Sequence, residues 1–197
     1  MAVLLSCQEK QPLTATAIIN NAIAASCQDG CERAQIDFDF RDKHYKSIRD
    51  QGNYQLERSF KDSIARYRDV ITNNGFQRYR NDSAIVVVDS LAQQYSESVN
   101  SVHYFAQLPY GLNAPAAIKK VVGEAVINGK TYYEVEVTFQ EEGGGIDFED
   151  VFVYWIDTQT FFVDYLAYSF TVNGGGIRFR EAYNPRVVEG IRFVDYN

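Results

Sequence analysis

Apolar and polar residues alternate with a period of two along most of the chain. Ile36, Phe38 and Phe40 are separated by charged residues, and Tyr54 and Leu56 enclose a glutamine. Because successive side chains of a strand point to opposite faces, this alternation predicts half-buried β-strands. The strands predicted in this half lie around residues 36–40, 54–56, 67–71 and 76–80. Their connections are short and polar, as in an antiparallel meander.

Two segments have the spacing of a helix instead. Thr14 or Thr16 can cap a helix that runs to about Ala25. A second helix, capped by Asp89 or Ser90, is predicted to run to Ala106 and to act as a lid. The apolar face of this lid helix consists of Leu91, Tyr95, Val99, Val102 and Phe105.

Strands resume after the lid helix. Asn128-Gly129 predicts a hairpin turn between Val121–Ile127 and Tyr132–Gln140. Val151–Ile156 and much of Phe161–Phe170 are apolar on both faces, which fits strands buried on both sides or strands that line a ligand cavity. The last strands are expected at 177–179 and 191–193, linked by Asn184-Pro185.

These elements predict a mainly β (α+β) fold: a strongly curved antiparallel half-barrel of about ten strands with an N-terminal helix and an inserted lid helix. The absence of alternating strands and helices argues against a parallel α/β sheet. We expect a single half-barrel domain over residues 14–197, preceded by a tether at 1–13.

The charge and the chemistry of the side chains narrow the function classes. The net charge is −7 and no basic patch dominates, so no nucleic-acid partner is expected. Five carboxylates between Glu141 and Asp150 fit an acidic hairpin tip better than a calcium loop, because the ligand order is wrong. His44 and His103 are isolated, no serine has a G-x-S-x-G context, and the lysines lie in polar settings. We therefore predict no metal site, no cofactor and no enzymatic activity.

Leu4-Leu5-Ser6-Cys7 has the form of a bacterial lipobox, which would make Cys7 the lipidated first residue of a mature lipoprotein. A full signal peptide needs a charged region and an apolar stretch before the cleavage site, whereas only Met1-Ala2-Val3 precede this motif. The motif thus fits either a lipoprotein whose start has been trimmed or misplaced, or a chance match.

Cys27 and Cys31 enclose a short polar loop with a glycine at the end of the first helix. In an oxidising compartment this spacing favours a disulfide. Two free thiols are the alternative, and a zinc site is disfavoured because neither histidine has ligand spacing with them.

Two stretches carry a family resemblance: Tyr95–Asn113 (YSESVNSVHYFAQLPYGLN) and Phe139–Asn197, which includes TQTFFVDYLAY and GGGIRFREAYNPRVVEGIRFVDY. They resemble the DUF6503 family of uncharacterised exported proteins and lipoproteins of Bacteroidetes-type bacteria, and more distantly the lipoprotein carriers and receptors of the LolA/LolB type. The latter resemblance implies a half-barrel with a helical lid that holds acyl chains. Resemblance to lipoprotein sorting, with Gln8 after Cys7, implies anchoring at the periplasmic face of the outer membrane.

Two functional hypotheses follow. In the first, the half-barrel of a membrane-anchored lipoprotein binds a lipid or another hydrophobic ligand; in the second, a packed core serves as an envelope scaffold with a protein partner. An apolar cavity on the order of 300 Å³ or more would favour the first, and a filled interior the second. The residues expected to line the cavity are Phe38, Phe40, Tyr54, Leu56, Tyr133, Val135, Val137, Phe139, Phe179, Ile191 and Phe193.

Overall fold

A computed structural model describes residues 11–28, 30–140, 150–170 and 174–197. Twelve strands in this part of the chain form two antiparallel six-stranded sheets, each made of sequential neighbours. The sheets do not close into a barrel, and together with two helices they form a curved half-barrel, as predicted. In this part of the chain neither helix combines the length and the apolarity needed to cross a membrane.

The first sheet contains β1 (Arg33–Phe40), β2 (Lys43–Asp50), β3 (Asn53–Lys61), β4 (Arg66–Thr72), β5 (Gly75–Arg80) and β6 (Ser83–Ile85). The second contains β7 (Ala117–Ile127), β8 (Lys130–Phe139), β9 (Val151–Asp157), β10 (Val163–Phe170), β11 (Gly176–Val188) and β12 (Ile191–Tyr196). The helices are α1 (Ala15–Cys27) and α2 (Asp89–Ala106), and a short 3₁₀ turn spans Tyr110–Asn113.

Each helix covers the inner face of one sheet. Ile18, Ile19 and Ala22 of α1 are fully buried in the core of the second sheet. Val99 of α2 is fully buried against Leu56 and Ile71 of the first sheet. The long connection through α2 thus joins the two sheets and covers the inside of the first one.

Local signals explain several element ends. Thr14 caps α1, because its Oγ1 accepts a hydrogen bond from the N–H of Ala17. Asn128 and Gly129 both have positive φ, the conformation that a two-residue hairpin turn requires, and they join β7 to β8 as predicted. The cap predicted for α2 is wrong: Val88 is the N-cap, without a side-chain hydrogen bond, and Asp89 is the first helical residue.

Three further details differ from the prediction. The described residues contain twelve strands rather than about ten, since β2 and β6 were not predicted. Asn184-Pro185 does not link the last two strands but lies within β11, where the register with β12 shifts between Tyr183 and Arg186. Such an irregularity accommodates a proline that cannot donate to the ladder. The turn lies instead at Glu189-Gly190, where both residues have positive φ.

Candidate functional site

The inner face of the first sheet carries a buried ionic cluster. Asp69 is fully buried and accepts hydrogen bonds from Arg58 at 2.7 and 3.1 Å and from Arg78 at 2.6 and 2.9 Å. Arg58 also donates to Ser98 of α2 at 2.7 Å, and the guanidinium carbon of Arg78 lies 3.5 Å from the ring centroid of Tyr95. The first half of α2 is thus attached to the sheet by charge-assisted and cation–π contacts.

The second half of α2 is attached through a neutral histidine. The Nε2 of His103 lies 3.0 Å from the backbone carbonyl of Glu57, so Nε2 carries the proton, and Nδ1 accepts from Gln107 at 3.3 Å. Gln107 in turn contacts Ser47 at 3.2 Å and accepts from Arg49 at 3.0 Å. Burial lowers the pKa of His103 to about 4, and the positive charge of Arg49 acts in the same direction.

The inner face of the second sheet has a different character. Val135, Val137, Tyr154, Ile156 and Leu166 are fully buried there against α1. Next to them lies an aromatic cluster, whose rings belong to Tyr104 and Phe105 of α2 and to Phe139, Phe152, Tyr154, Tyr168 and Phe170 of the sheet.

Besides Tyr104, Phe105 is a second residue through which α2 contacts this aromatic cluster. Its ring centroid lies 5.4 Å from Tyr168 and 6.4 Å from Phe152, and Phe152 and Tyr168 stack at 5.3 Å. Phe105, Tyr168 and Phe170 are only half-buried, so the cluster reaches the surface. Arg178 stands at this edge, with its guanidinium carbon 4.4 Å from the centroid of Phe170. The cluster offers a large apolar area with a cation at its margin.

Most side chains on the inner faces of the two sheets are buried or half-buried. A hollow between the end of α1, β1 and β12 holds only about 10 Å³, space for about one water molecule. It is lined by Cys27, Cys31, Ile36, Ile191 and Phe193, among others. A ligand in this hollow would therefore have to displace side chains.

The predicted cavity residues divide into several groups. Phe38, Tyr54 and Leu56 lie on the inner face of the first sheet near α2, and Tyr133, Val135, Val137 and Phe139 belong to the core of the second. Phe40 lies at the end of β1, 45% exposed. The expectation for Phe179 is wrong: it is 53% exposed on the outer face, where it contacts Trp155 and Tyr165, because its partner in the ladder is the outward-facing Ala167.

Of the predicted lid residues, Val99 is fully buried and Tyr95, Val102 and Phe105 are half-buried, whereas Leu91 is 41% exposed. Cys27 and Cys31 form a disulfide. Cys7, like residues 141–149 of the acidic segment, lies outside the described residues. Within the described residues, no three His, Cys, Asp or Glu side chains are grouped as metal ligands would be.

The sequence profile of a family of unknown function, DUF6503, matches residues 1–197. The chain belongs to the DUF6503 family. No curated protein sequence matches it significantly.

Among solved structures, this DUF6503 chain is similar to a LolA superfamily protein from Nitrosomonas europaea, with 11% identity, a TM-score of 0.55, and 94% of this chain and 92% of that chain covered. A DUF1329 family protein from Desulfovibrio piger also matches, with 15% identity, a TM-score of 0.45, and 91% and 83% covered. The first likeness shows that the DUF6503 chain has a LolA-like fold.

The sequence prediction missed the ionic cluster and most of the aromatic cluster. The alternation of side chains along a strand contained a signal for the ionic cluster, because residues two positions apart lie on the same face. Arg58 is two positions from Leu56, Asp69 from Ile71, and Arg78 from Phe76, all of which are apolar residues of the inner face. The aromatic cluster had no comparable local signal, because it joins α2 to β8, β9 and β10, which are distant from it in the sequence.

Proposed function

We propose that this protein is a non-enzymatic lipoprotein of the cell envelope that binds a lipid or another hydrophobic ligand at the aromatic cluster beneath Phe105. The observation that carries the proposal is this half-buried cluster on the inner face of a LolA-like half-barrel. Cys7 would anchor the protein by acyl chains at the periplasmic face of the outer membrane, a role that its lipobox supports.

The aromatic cluster has the properties that an apolar ligand requires. Burial of apolar surface contributes about 25 cal/mol per Å², and aromatic rings present much of it with little rotamer entropy to lose. The rings of Phe152, Tyr168 and Phe170 form a continuous row, with Arg178 at its exposed end. An acyl chain can replace the contacts of Phe105 with this row, because dispersion and hydrophobic contacts do not require a fixed direction.

Phe105 would act as the movable part of the lid. It belongs to α2, which hydrogen bonds of Ser98 and His103 hold on the first sheet and the hydrogen bond between Tyr104 and Tyr154 holds on the second, so that rotation of the Phe105 side chain alone withdraws the ring from Tyr168. Ligand entry exchanges one set of apolar contacts for another. The affinity then depends on how well the ligand replaces the packing that it displaces.

The test uses a soluble form that begins after Cys7 and two apolar probes, palmitic acid in native mass spectrometry and N-phenyl-1-naphthylamine in a fluorescence titration. We expect one palmitate per chain. Phe105→Ala should bind the naphthylamine about tenfold more tightly, because truncation leaves an apolar cavity that needs no displacement. Leu91→Ala, on the exposed part of α2, is the matched control and should leave the affinity unchanged.

Absence of binding to both the wild type and Phe105→Ala would contradict the proposal. It would favour the second candidate, an envelope scaffold with a protein partner. The outer face of the second sheet offers such a partner a contact surface, since Ile177 is 81% and Phe179 53% exposed there beside Trp155. In that case in-cell crosslinking should yield a discrete adduct that Phe179→Asp removes.

A further inference from the structure

One end of the first sheet forms an open groove. Phe60 of β3 and Tyr67 of β4 pair across the ladder, and their half-buried rings stack at 5.3 Å. Phe60 follows Arg58 by two positions in β3, and Tyr67 precedes Asp69 by two positions in β4. The two rings are therefore the next pair on the same face of the sheet. The groove holds about 280 Å³, close to the lower end of the volumes found for small-molecule sites. Its lining includes Phe60, Lys61, Arg66, Tyr67, Arg68 and Asp82.

The rim of this groove is cationic although the chain as a whole carries a net charge of −7. The residues that line the groove carry three positive charges, on Lys61, Arg66 and Arg68, and one negative charge, on Asp82. Asp82 pairs with Arg66 at 2.9 Å. Arg68 is oriented by Tyr79, whose ring centroid lies 4.4 Å from the guanidinium carbon, and by Glu57 at 3.4 Å. No carboxylate of the described residues is within ion-pair distance of Lys61, which is exposed at the end of β3.

The floor of the groove adds further positive charge. The ring centroid of Phe60 lies 5.7 Å from the guanidinium carbon of Arg58 and 5.9 Å from that of Arg78. It also lies 5.6 Å from the Nζ of Lys43, whose charge is paired with Asp42 at 2.7 Å. Arg58 and Arg78 are buried and share the carboxylate of Asp69. Charges beneath the surface are screened less than charges in water, so their potential extends into the groove.

We propose that this groove binds an organic anion, in which a phosphate or carboxylate group is attached to an apolar body. The apolar body would lie on Phe60 and Tyr67, and the anionic group would accept hydrogen bonds from Lys61 and Arg66. The volume exceeds what an inorganic anion fills, and the two rings give the groove an apolar floor that such an anion cannot use. The site is separate from the aromatic cluster beneath Phe105 and does not depend on the function proposed for it.

Isothermal titration calorimetry in a phosphate-free buffer of roughly 0.01 M ionic strength, where screening is weak, tests the site with phenyl phosphate, inorganic phosphate and dodecyl phosphate. We expect phenyl phosphate to bind more tightly than inorganic phosphate. Lys61→Glu should weaken its binding by about tenfold, the usual effect of losing a charge-assisted hydrogen bond. Lys120→Glu is the matched control, because it makes the same charge change on an exposed residue of the other sheet and should change the affinity less than about twofold.

The three probes also distinguish the source of the anion. Binding of dodecyl phosphate that phenyl phosphate displaces would support the site and identify a lipid head group as its ligand. Binding of phenyl phosphate without dodecyl phosphate would support it for a soluble anion. Equal weakening by Lys61→Glu and Lys120→Glu, or no binding of any probe, would overturn it. Neither result would affect naphthylamine binding at Phe105, so the two proposals fail separately.

Discussion

The two sheets of this half-barrel hold their helices by different kinds of contact, mainly polar at the first sheet and apolar at the second. Besides the apolar contacts of Val99, the first sheet contacts α2 through the buried side chains of Arg58 and Arg78, and the buried His103 of α2 is hydrogen-bonded to the backbone of the sheet. The second packs α1 against fully buried valine, isoleucine, leucine and tyrosine side chains. Both faces are inner faces of the same curved fold, so the difference comes from the side chains and not from the topology.

This difference has a consequence for ligand binding. Charge-assisted hydrogen bonds depend on distance and direction, so the ionic cluster fixes where α2 lies along the first sheet. Apolar contacts have little directionality, and another apolar group can replace them. Under the proposed function, the first sheet positions α2, and the ligand exchanges for the ring of Phe105 at the second sheet.

The largest loss of stability is expected from breaking the ionic cluster. Asp69→Asn would leave the buried guanidinium groups of Arg58 and Arg78 without their shared carboxylate. Removing one partner of a buried ion pair costs about 3–5 kcal/mol, which urea denaturation of this variant should report as a lower midpoint. Asp50→Asn removes the carboxylate of an exposed pair with Arg33 and should cost less than about 1 kcal/mol.

A triple variant sharpens this test. Replacing Arg58 and Arg78 by methionine and Asp69 by leucine removes all three charges together, and buried ion clusters exchanged for apolar side chains often lose little stability. We expect the triple variant to be more stable than Asp69→Asn. If the triple variant were less stable than Asp69→Asn, the intact ionic cluster would stabilise the folded state more than apolar side chains do in its place.

A cavity in the apolar core of the second sheet should lower the free energy of unfolding. Leu166 is fully buried in the core of the second sheet, and Leu166→Ala should cost about 2–5 kcal/mol in the free energy of unfolding. Leu91→Ala is the control, because Leu91 is 41% exposed and its truncation leaves no enclosed void. Similar losses in both variants would mean that the second sheet is not the main apolar core.

The sequence predicted the apolar half better than the ionic half. Hydrophobic alternation located β8, and Asn128-Gly129 located its hairpin, because both signals are local. The strand Lys43–Asp50 was missed because Ser47 and Arg49 occupy its inner face, so that no apolar alternation marks it.

The sites could be predicted less well than the strands. Arg58, Asp69 and Arg78 resemble ordinary surface charges until the register of three strands is known. The contact of Phe105 with Phe152 and Tyr168 depends on how α2 crosses between the sheets, which no local pattern specifies. Long-range register was the missing information in both cases.

A change of pH tests the histidine that attaches the second half of α2. Because burial lowers the pKa of His103 to about 4, below the ordinary histidine value of 6.5, the folded state binds fewer protons than the unfolded state between these values. Stability is therefore complete above about pH 6.5 and decreases as the pH falls towards 4. Between pH 7.5 and 5 we expect a loss of about 2 kcal/mol, measured by urea denaturation.

Substitution of each histidine separates the contributions. His103→Gln cannot be protonated and should remove most of this pH dependence, whereas His44→Gln, at an exposed position near Asp37 and Asp39, should retain it. An unchanged slope in His103→Gln would show that other groups dominate in this pH range.

The smallest effect concerns a polar contact within the apolar half. The hydroxyl groups of Tyr104 and Tyr154 share a hydrogen bond of 2.5 Å, and burial raises the pKa of both phenols. Tyr104→Phe should cost about 1–2 kcal/mol, because it leaves the buried hydroxyl of Tyr154 without this partner. Replacing both tyrosines by phenylalanine removes donor and acceptor together and should restore part of that loss in urea denaturation. A double variant less stable than the single one would mean that the pair positions α2 directionally, as the ionic cluster does, and the contrast between the two halves would then be one of degree.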